Sequence, residues 1–195
     1  MALYNRGVRD LIALKQKKMK NSLVREVVRC VPETYETHRY LLEVKLTDSS
    51  AMTPRLAVIL KNPSTASAIK SDPTIGKVEA WARRRNFASL LYINLFAVRS
   101  TQPAPLNDWD YAYTVGPEND YYIREAVSQA DTVVVAWGNS NGIDPKRYDR
   151  RIREVLAMLQ GYRLQVVGEP TRLGYPRHGL LWNNEPELSD FRFNI

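Results

Sequence analysis

The sequence predicts an α/β fold: a three-layer αβα sandwich around a central, mostly parallel four-stranded sheet. Three observations lead there. Apolar runs at 55–60, 90–94, 132–136 and 163–167 alternate with segments of helical spacing. The runs are continuous in apolar residues, as strands covered on both faces are. The run at 55–60 breaks off at Asn62-Pro63 into small residues, the form a buried strand takes where it opens into a loop.

Each element follows from local pattern. Residues 40–46 read as a strand bounded by the turn cluster Thr47, Asp48, Ser49 and Ser50. The buried strand 55–60 leads to a helix over 75–85 and a second core strand over 90–94. A helix over 118–129 is entered through Gly116-Pro117, with the proline in or near its first turn. The third core strand, 132–136, is a near-continuous valine run. A helix over 147–159 is closed by Gly161 and precedes the fourth core strand, 163–167. Residues 1–33 read as a basic helical appendage. In it Val8, Leu11, Ile12 and Leu14 have partial helical spacing, and Lys15, Lys17, Lys18 and Lys20 form an exposed run. Residues 34–195 make up the domain.

Composition narrows the function. A chain of 195 residues holds one domain with a real hydrophobic core. No apolar run approaches the ~20 residues that span a bilayer, and the amino terminus has no signal-peptide pattern. A cytoplasmic location is therefore expected, with no membrane contact. The one cysteine, Cys30, excludes an internal disulfide framework, and with only His38 and His178 beside it a zinc site is not expected. Asp72, Asp108, Asp110, Asp120 and Glu169 have no metal-cluster spacing, so neither a metal nor a cofactor is expected. There is no phosphate loop, no dinucleotide fingerprint and no nucleophile elbow.

The charge is positive: 28 Lys and Arg against 21 Asp and Glu, a net +7. Beyond the amino-terminal lysines, the excess gathers at Arg83, Arg84 and Arg85, and at Lys146, Arg147, Arg150, Arg151 and Arg153. Such grouping suits a phosphate backbone; the plain alternative is a solvated basic surface.

If the core strands are parallel, their carboxyl ends share the edge at which open α/β sheets bind ligands. Asn62 follows the first strand, Asn94 closes the second, Trp137-Gly138 closes the third, and His178 lies beyond the fourth. With these residues the chain resembles the uracil-DNA glycosylase superfamily. Lys61-Asn62-Pro63-Ser64 is similar to its first motif, in the Asn-Pro form of the mismatch-specific and thymine-DNA glycosylase branch. The run from Leu91 to Arg99 resembles the strand whose asparagine reads a flipped base. Val134 to Gly138 is similar to the strand ending in Trp-Gly, and His178-Gly179-Leu180-Leu181 falls where the family has a His-Pro-Ser-Pro-Leu loop. More narrowly, the runs NPSTA (62–66), DPT (72–74) and PRH (176–178) resemble a family of small bacterial and phage proteins of unassigned function.

The resemblance implies a uracil-DNA glycosylase-like fold and a monofunctional N-glycosylase, without a metal, acting on DNA as a monomer, with roles for particular residues. Asn62 and His178 are the catalytic candidates. Asn94, Ser64, Pro63, Phe96 and Ile75 are candidates for holding the base. Arg177, Leu181, Trp182, Asn139, Ser140, Lys146 and Arg147 are candidates for holding DNA. A base must leave the stack before it can be attacked, which costs a few kcal/mol. Asn94 can read its Watson–Crick edge, and His178 can donate to a base carbonyl as charge develops there. Asn62, a neutral amide, can position water but cannot take its proton, so a dissociative path is expected. Leu181 or Trp182 can wedge into the stack. Arg177 and the loop holding Asn139 and Ser140 can meet phosphates.

Ser64 is small where uracil-strict enzymes carry a gate against C5 substituents. The expected substrate is therefore a C5-modified pyrimidine, such as hydroxymethylated or glucosylated cytosine of phage DNA, and the expected setting anti-phage defence. A filled gate, by Ile75 or Phe96, is the other reading of that position. Three further functions stay open: a uracil or mismatch repair glycosylase, a nucleic-acid-binding module with a degenerate pocket, and an enzyme of free modified nucleotides.

Overall fold

The computed structural model describes residues 25–34, 37–64, 73–182 and 186–192. It is an α/β fold on one mixed sheet of seven strands in the order β1-β2-β4-β3-β5-β6-β7. The strands are β1 (Glu26–Val31), β2 (Leu41–Lys45), β3 (Arg55–Leu60), β4 (Ser89–Asn94), β5 (Thr132–Val135), β6 (Leu164–Val167) and β7 (Leu188–Asp190). Among them run helices α1 (Pro73–Arg84), α2 (Tyr111–Val115), α3 (Asn119–Gln129) and α4 (Pro145–Met158).

The sheet is larger than the four strands expected. β4, β3, β5 and β6 are mutually parallel, while β2 and β1 extend one side and β7 the other, all antiparallel. β1 falls inside the 1–33 segment read as a helical appendage; its residues 26–31 pair with β2 and belong to the sheet. The reason it escapes a sequence reading is physical. It is a half-exposed edge strand, with an irregularity between Val27 and Arg29 that breaks its period of two. The four amino-terminal lysines lie outside the described residues.

Both faces of the parallel core are covered, which is why its strands are apolar throughout. Ala57, Ile59, Leu91, Ile93, Val133 and Val135 point to one face, where Ile123 and Val127 of α3 and Ile152 and Val155 of α4 meet them. Leu56, Val58, Leu90, Tyr92 and Val134 point to the other, against Val78 and Trp81 of α1 and against Trp182. α4 begins on Pro145, capped by Asp144, whose carboxylate accepts from the Arg147 N–H at 2.9 Å. α2 begins the same way on Asp110.

This layering positions the site. The helix after β3 lies on one face and the helix after β5 on the other. The chain therefore leaves two neighbouring parallel strands in opposite directions, and a crevice opens between their carboxyl ends.

Candidate functional site

A cavity of about 270 Å³ occupies that crevice. Asn62 and Ser64, Ile75 of α1 and the distant His178 all line it. Leu60 and Lys61 reach it from the end of β3, Thr74 from the first turn of α1, Asn141 from the loop after β5 and Leu180 from the turn after His178.

Asn62 has a defined orientation. Its Nδ2 donates to the Ser100 carbonyl at 2.8 Å and to the Pro63 carbonyl at 3.2 Å. Both partners are acceptors, so the amide nitrogen must face them, and Oδ1 is left to face away as an acceptor. Pro63 is buried beneath this loop, and its carbonyl also accepts from the Ser100 N–H at 3.0 Å. Arg99 reaches the Ser64 carbonyl from below, at 3.5 Å.

His178 sits at the start of a 3-10 turn, Gly179–Leu181, and its Nδ1 accepts from the Leu180 N–H at 3.3 Å. That contact places the hydrogen of the neutral ring on Nε2. Two glycines make room for the turn. Gly138 has φ +70°, and a Cβ there would lie 2.9 Å from the His178 Cβ. A Cβ on Gly179 would lie 2.7 Å from Val78 Cγ2 of α1. At Gly179 the turn lies directly on α1. The other histidine, His38, is occupied in the fold: Nε2 pairs with the Tyr113 carbonyl at 2.7 Å and Nδ1 with Thr37 Oγ1 at 2.9 Å.

Asn94 is almost wholly buried, and neither end of its carboxamide has a hydrogen-bond partner. It pairs in register with Leu60, on the α1 side of the sheet that it shares with Leu90 and Tyr92. It is not part of the cavity lining. Its backbone is clamped: Asn119 Nδ2 donates to the carbonyls of Asn94 and Leu95 at 3.0 Å each, and Arg151 Nε to that of Leu95 at 2.7 Å. Phe96 lies in the core on the opposite face, edge-on to Tyr111, so of the two residues weighed as gates only Ile75 borders the cavity.

The rim separates the wedge candidates. Leu180 and Leu181 are exposed by 39% and 50%. Trp182 is 2% exposed and packs 5.0 Å from Trp81, so it anchors the turn and is not free to enter a base stack. Among the residues expected to meet phosphate, Lys146 and Arg177 are exposed, the latter with Nε on the Glu169 carbonyl at 2.8 Å. Asn139 Oδ1 accepts from Thr171 Oγ1 at 2.7 Å, and the Ser140 carbonyl accepts from Lys61.

Much of the basic surface expected from sequence is used internally. Arg147 donates to the Trp109 carbonyl at 2.8 Å and to Thr114 Oγ1 at 3.0 Å. Arg151 is buried and paired with Asp120 and Glu154. Arg150 pairs with Glu154 at 2.9 Å and lies 3.9 Å over the Tyr111 ring. Arg85 lies 4.2 Å over Trp81, at the far end of α1 from the cavity.

Lys61, just past the end of β3, has no role in the resemblance but a distinctive place in the fold. It is 4% exposed, yet it lines the cavity. Its Nζ donates to the Ser140 carbonyl at 3.3 Å and lies 5.7 Å from the Tyr148 ring centre. Burial pulls its pKa down to about 8. The available signal was a lysine at the end of an otherwise apolar strand. Arg39 is a second buried cation on the lining.

No group of three or more metal-ligating side chains occurs among the described residues, and no helix among them is long and apolar enough to cross a membrane. Comparison with curated proteins and with solved structures gives no match. A family model does match, over residues 39–180, a span that runs from the cavity's Arg39 to its Leu180. The chain belongs to that family, described as a protein of unknown function (DUF1643).

Proposed function

We propose that the protein is a DNA glycosylase that hydrolyses the N-glycosidic bond of a flipped, C5-modified pyrimidine. The observation that carries this reading is the meeting of Asn62, Ser64, Ile75 and His178 on one cavity at the carboxyl edge of the parallel strands. The uracil-DNA glycosylase resemblance supplies the reaction class.

In this mechanism the base enters the cavity and His178 Nε2–H donates to a ring carbonyl. The C1′–N bond breaks heterolytically, its electron pair staying with the base, and the hydrogen bond strengthens as that charge grows. Asn62 Oδ1 accepts from a water held near C1′. The water oxygen bonds to C1′ and its proton passes to solvent, since an amide cannot take it. Turnover is therefore slow unless the base is a good leaving group. Leu180 and Leu181 hold the base out of the stack, and Lys146 and Arg177 meet the backbone. In this reading the small side chain of Ser64 on the lining is what leaves room for a C5 substituent.

The test is incubation with DNA from wild-type and modification-deficient phages beside uracil-containing DNA, with released bases identified by mass spectrometry. Modified base released by the native chain and lost in Asn62→Ala and His178→Ala supports the reading. Salt-sensitive binding with no base released from any DNA replaces it with a binding module.

A further inference from the structure

Beyond the residues given roles above stand the aromatic surface around Trp109 and Tyr113, the Tyr148–Tyr175–Asp149 group and the buried cations of the cavity. The cavity's cations reach furthest. Its described lining holds Lys61 and Arg39 and not one carboxylate. Around them stand the hydroxyls of Ser64, Thr74, Ser100 and Thr101, of which Ser100 already donates its hydrogen to the Gln102 carbonyl.

Lys61 is the informative member. Buried cations are paired with anions because lost hydration must be replaced. Lys61 has one long hydrogen bond to a neutral carbonyl and a ring face at 5.7 Å, and no carboxylate within ion-pair distance among the described residues. Of the three donors on its ammonium, one is used. The nearby Tyr148 hydroxyl does not compensate, since it donates to the Gly138 carbonyl at 2.8 Å. The remaining donors are held beside the space that a ligand would fill.

We propose that the cavity selects a base whose C5 substituent is rich in oxygen acceptors and carries no positive charge, and that Lys61 is the residue that makes the selection. This rests on the glycosylase reading and deepens it by naming the substituent class. Hydroxyl or carboxylate oxygens accept from the ammonium and restore what burial removed. An amine-bearing substituent meets a like charge in a lining whose described residues include no acid to absorb it. Lys61 thereby acts through recognition, and no bond is made to it.

The experiment uses the full chain and duplexes carrying one 5-hydroxymethyl-, 5-carboxyl- or 5-aminomethylcytosine. A 2′-fluorinated set, whose glycosidic bond resists cleavage, gives binding by fluorescence anisotropy; an unfluorinated set gives base release. The native chain is expected to bind the hydroxymethyl and carboxyl duplexes about tenfold or more tighter than the aminomethyl one, a step of ~1.4 kcal/mol or more. Lys61→Met is expected to bring the carboxyl-to-aminomethyl ratio near one, and Lys61→Arg, which keeps the charge, to preserve most of it. Equal binding of all three by the native chain, or a ratio unchanged in Lys61→Met, overturns the proposal. Ranked binding without release overturns the glycosylase reading and leaves the selection standing; release without ranking does the reverse.

Discussion

Gly138 and His178 are in contact through a missing atom: a Cβ on Gly138 would fall 2.9 Å from the Cβ of His178, at a backbone φ of +70°. The glycine that ends the β5 segment therefore sets how deep the histidine of a distant loop can sit. Gly138→Ala is expected to push His178 off the cavity wall and to cost ~1 kcal/mol of backbone strain. Base release should fall about as far as in His178→Ala, and the double variant should be no slower than either. A release rate for Gly138→Ala close to the native one would separate the contact from function.

Asn94 gives a test that distinguishes binding from stability. A buried carboxamide with neither end partnered contributes nothing to offset its lost hydration. Asn94→Leu is therefore expected to leave unfolding free energy unchanged or raise it by ~1 kcal/mol in urea titration and, since Asn94 does not line the cavity, to leave base release intact. A large loss of stability would mark the amide as structural.

Lys61 holds its proton less tightly in the fold, at about 8, than at its ordinary 10.5. Below about pH 8 both folded and unfolded chains carry the charge, and the full cost of burying it is present. Between pH 8 and 10.5 only the unfolded chain keeps the proton, so this contribution makes stability rise with pH. Lys61→Met is accordingly expected to be more stable than the native chain at pH 7, by at most about 3 kcal/mol, with the advantage shrinking by pH 10. Denaturant titrations at the two pH values check this; an advantage that grows with pH contradicts it.

The tight packing of Gly179 on α1 predicts a paired effect. Gly179→Ala places a methyl 2.7 Å from Val78 Cγ2 and should destabilise the protein by ~1–3 kcal/mol. Adding Val78→Ala opens the space, so the double variant should lose less than the sum of the two singles. Additive losses would show that the turn moves freely.

Leu181 and Trp182 are neighbours with opposite expected phenotypes. Trp182→Ala removes a buried ring packed on Trp81 and should cost ~3–5 kcal/mol in thermal or chemical unfolding. Leu181→Ala removes an exposed side chain and should stay within ~0.5 kcal/mol, yet weaken binding to a flipped duplex. If Leu181→Ala binds the flipped duplex normally, Leu181 is not a wedge.

The amino-acid sequence by itself determined the parallel core and the edge on which chemistry would sit. Runs such as 55–60 and 132–136 must be buried on both faces, and a strand that stops at Asn62-Pro63 must open there, because these follow from local burial and backbone geometry. Tertiary structure decided the rest. β1 and β7 are edge strands whose partners, not their own patterns, make them strands. Arg151 looks from its neighbours like part of a basic surface, and only the packing of α4 against Asp120 and the Leu95 carbonyl turns it inward. Lys61 shows the same limit at the site. Its sequence places a cation at a strand end, but its burial beside the Ser140 carbonyl, 79 residues away, with no carboxylate near it among the described residues, arises from the fold. Charge is written in the sequence; whether a charge is spent on the fold or kept for a ligand depends on what the fold brings next to it.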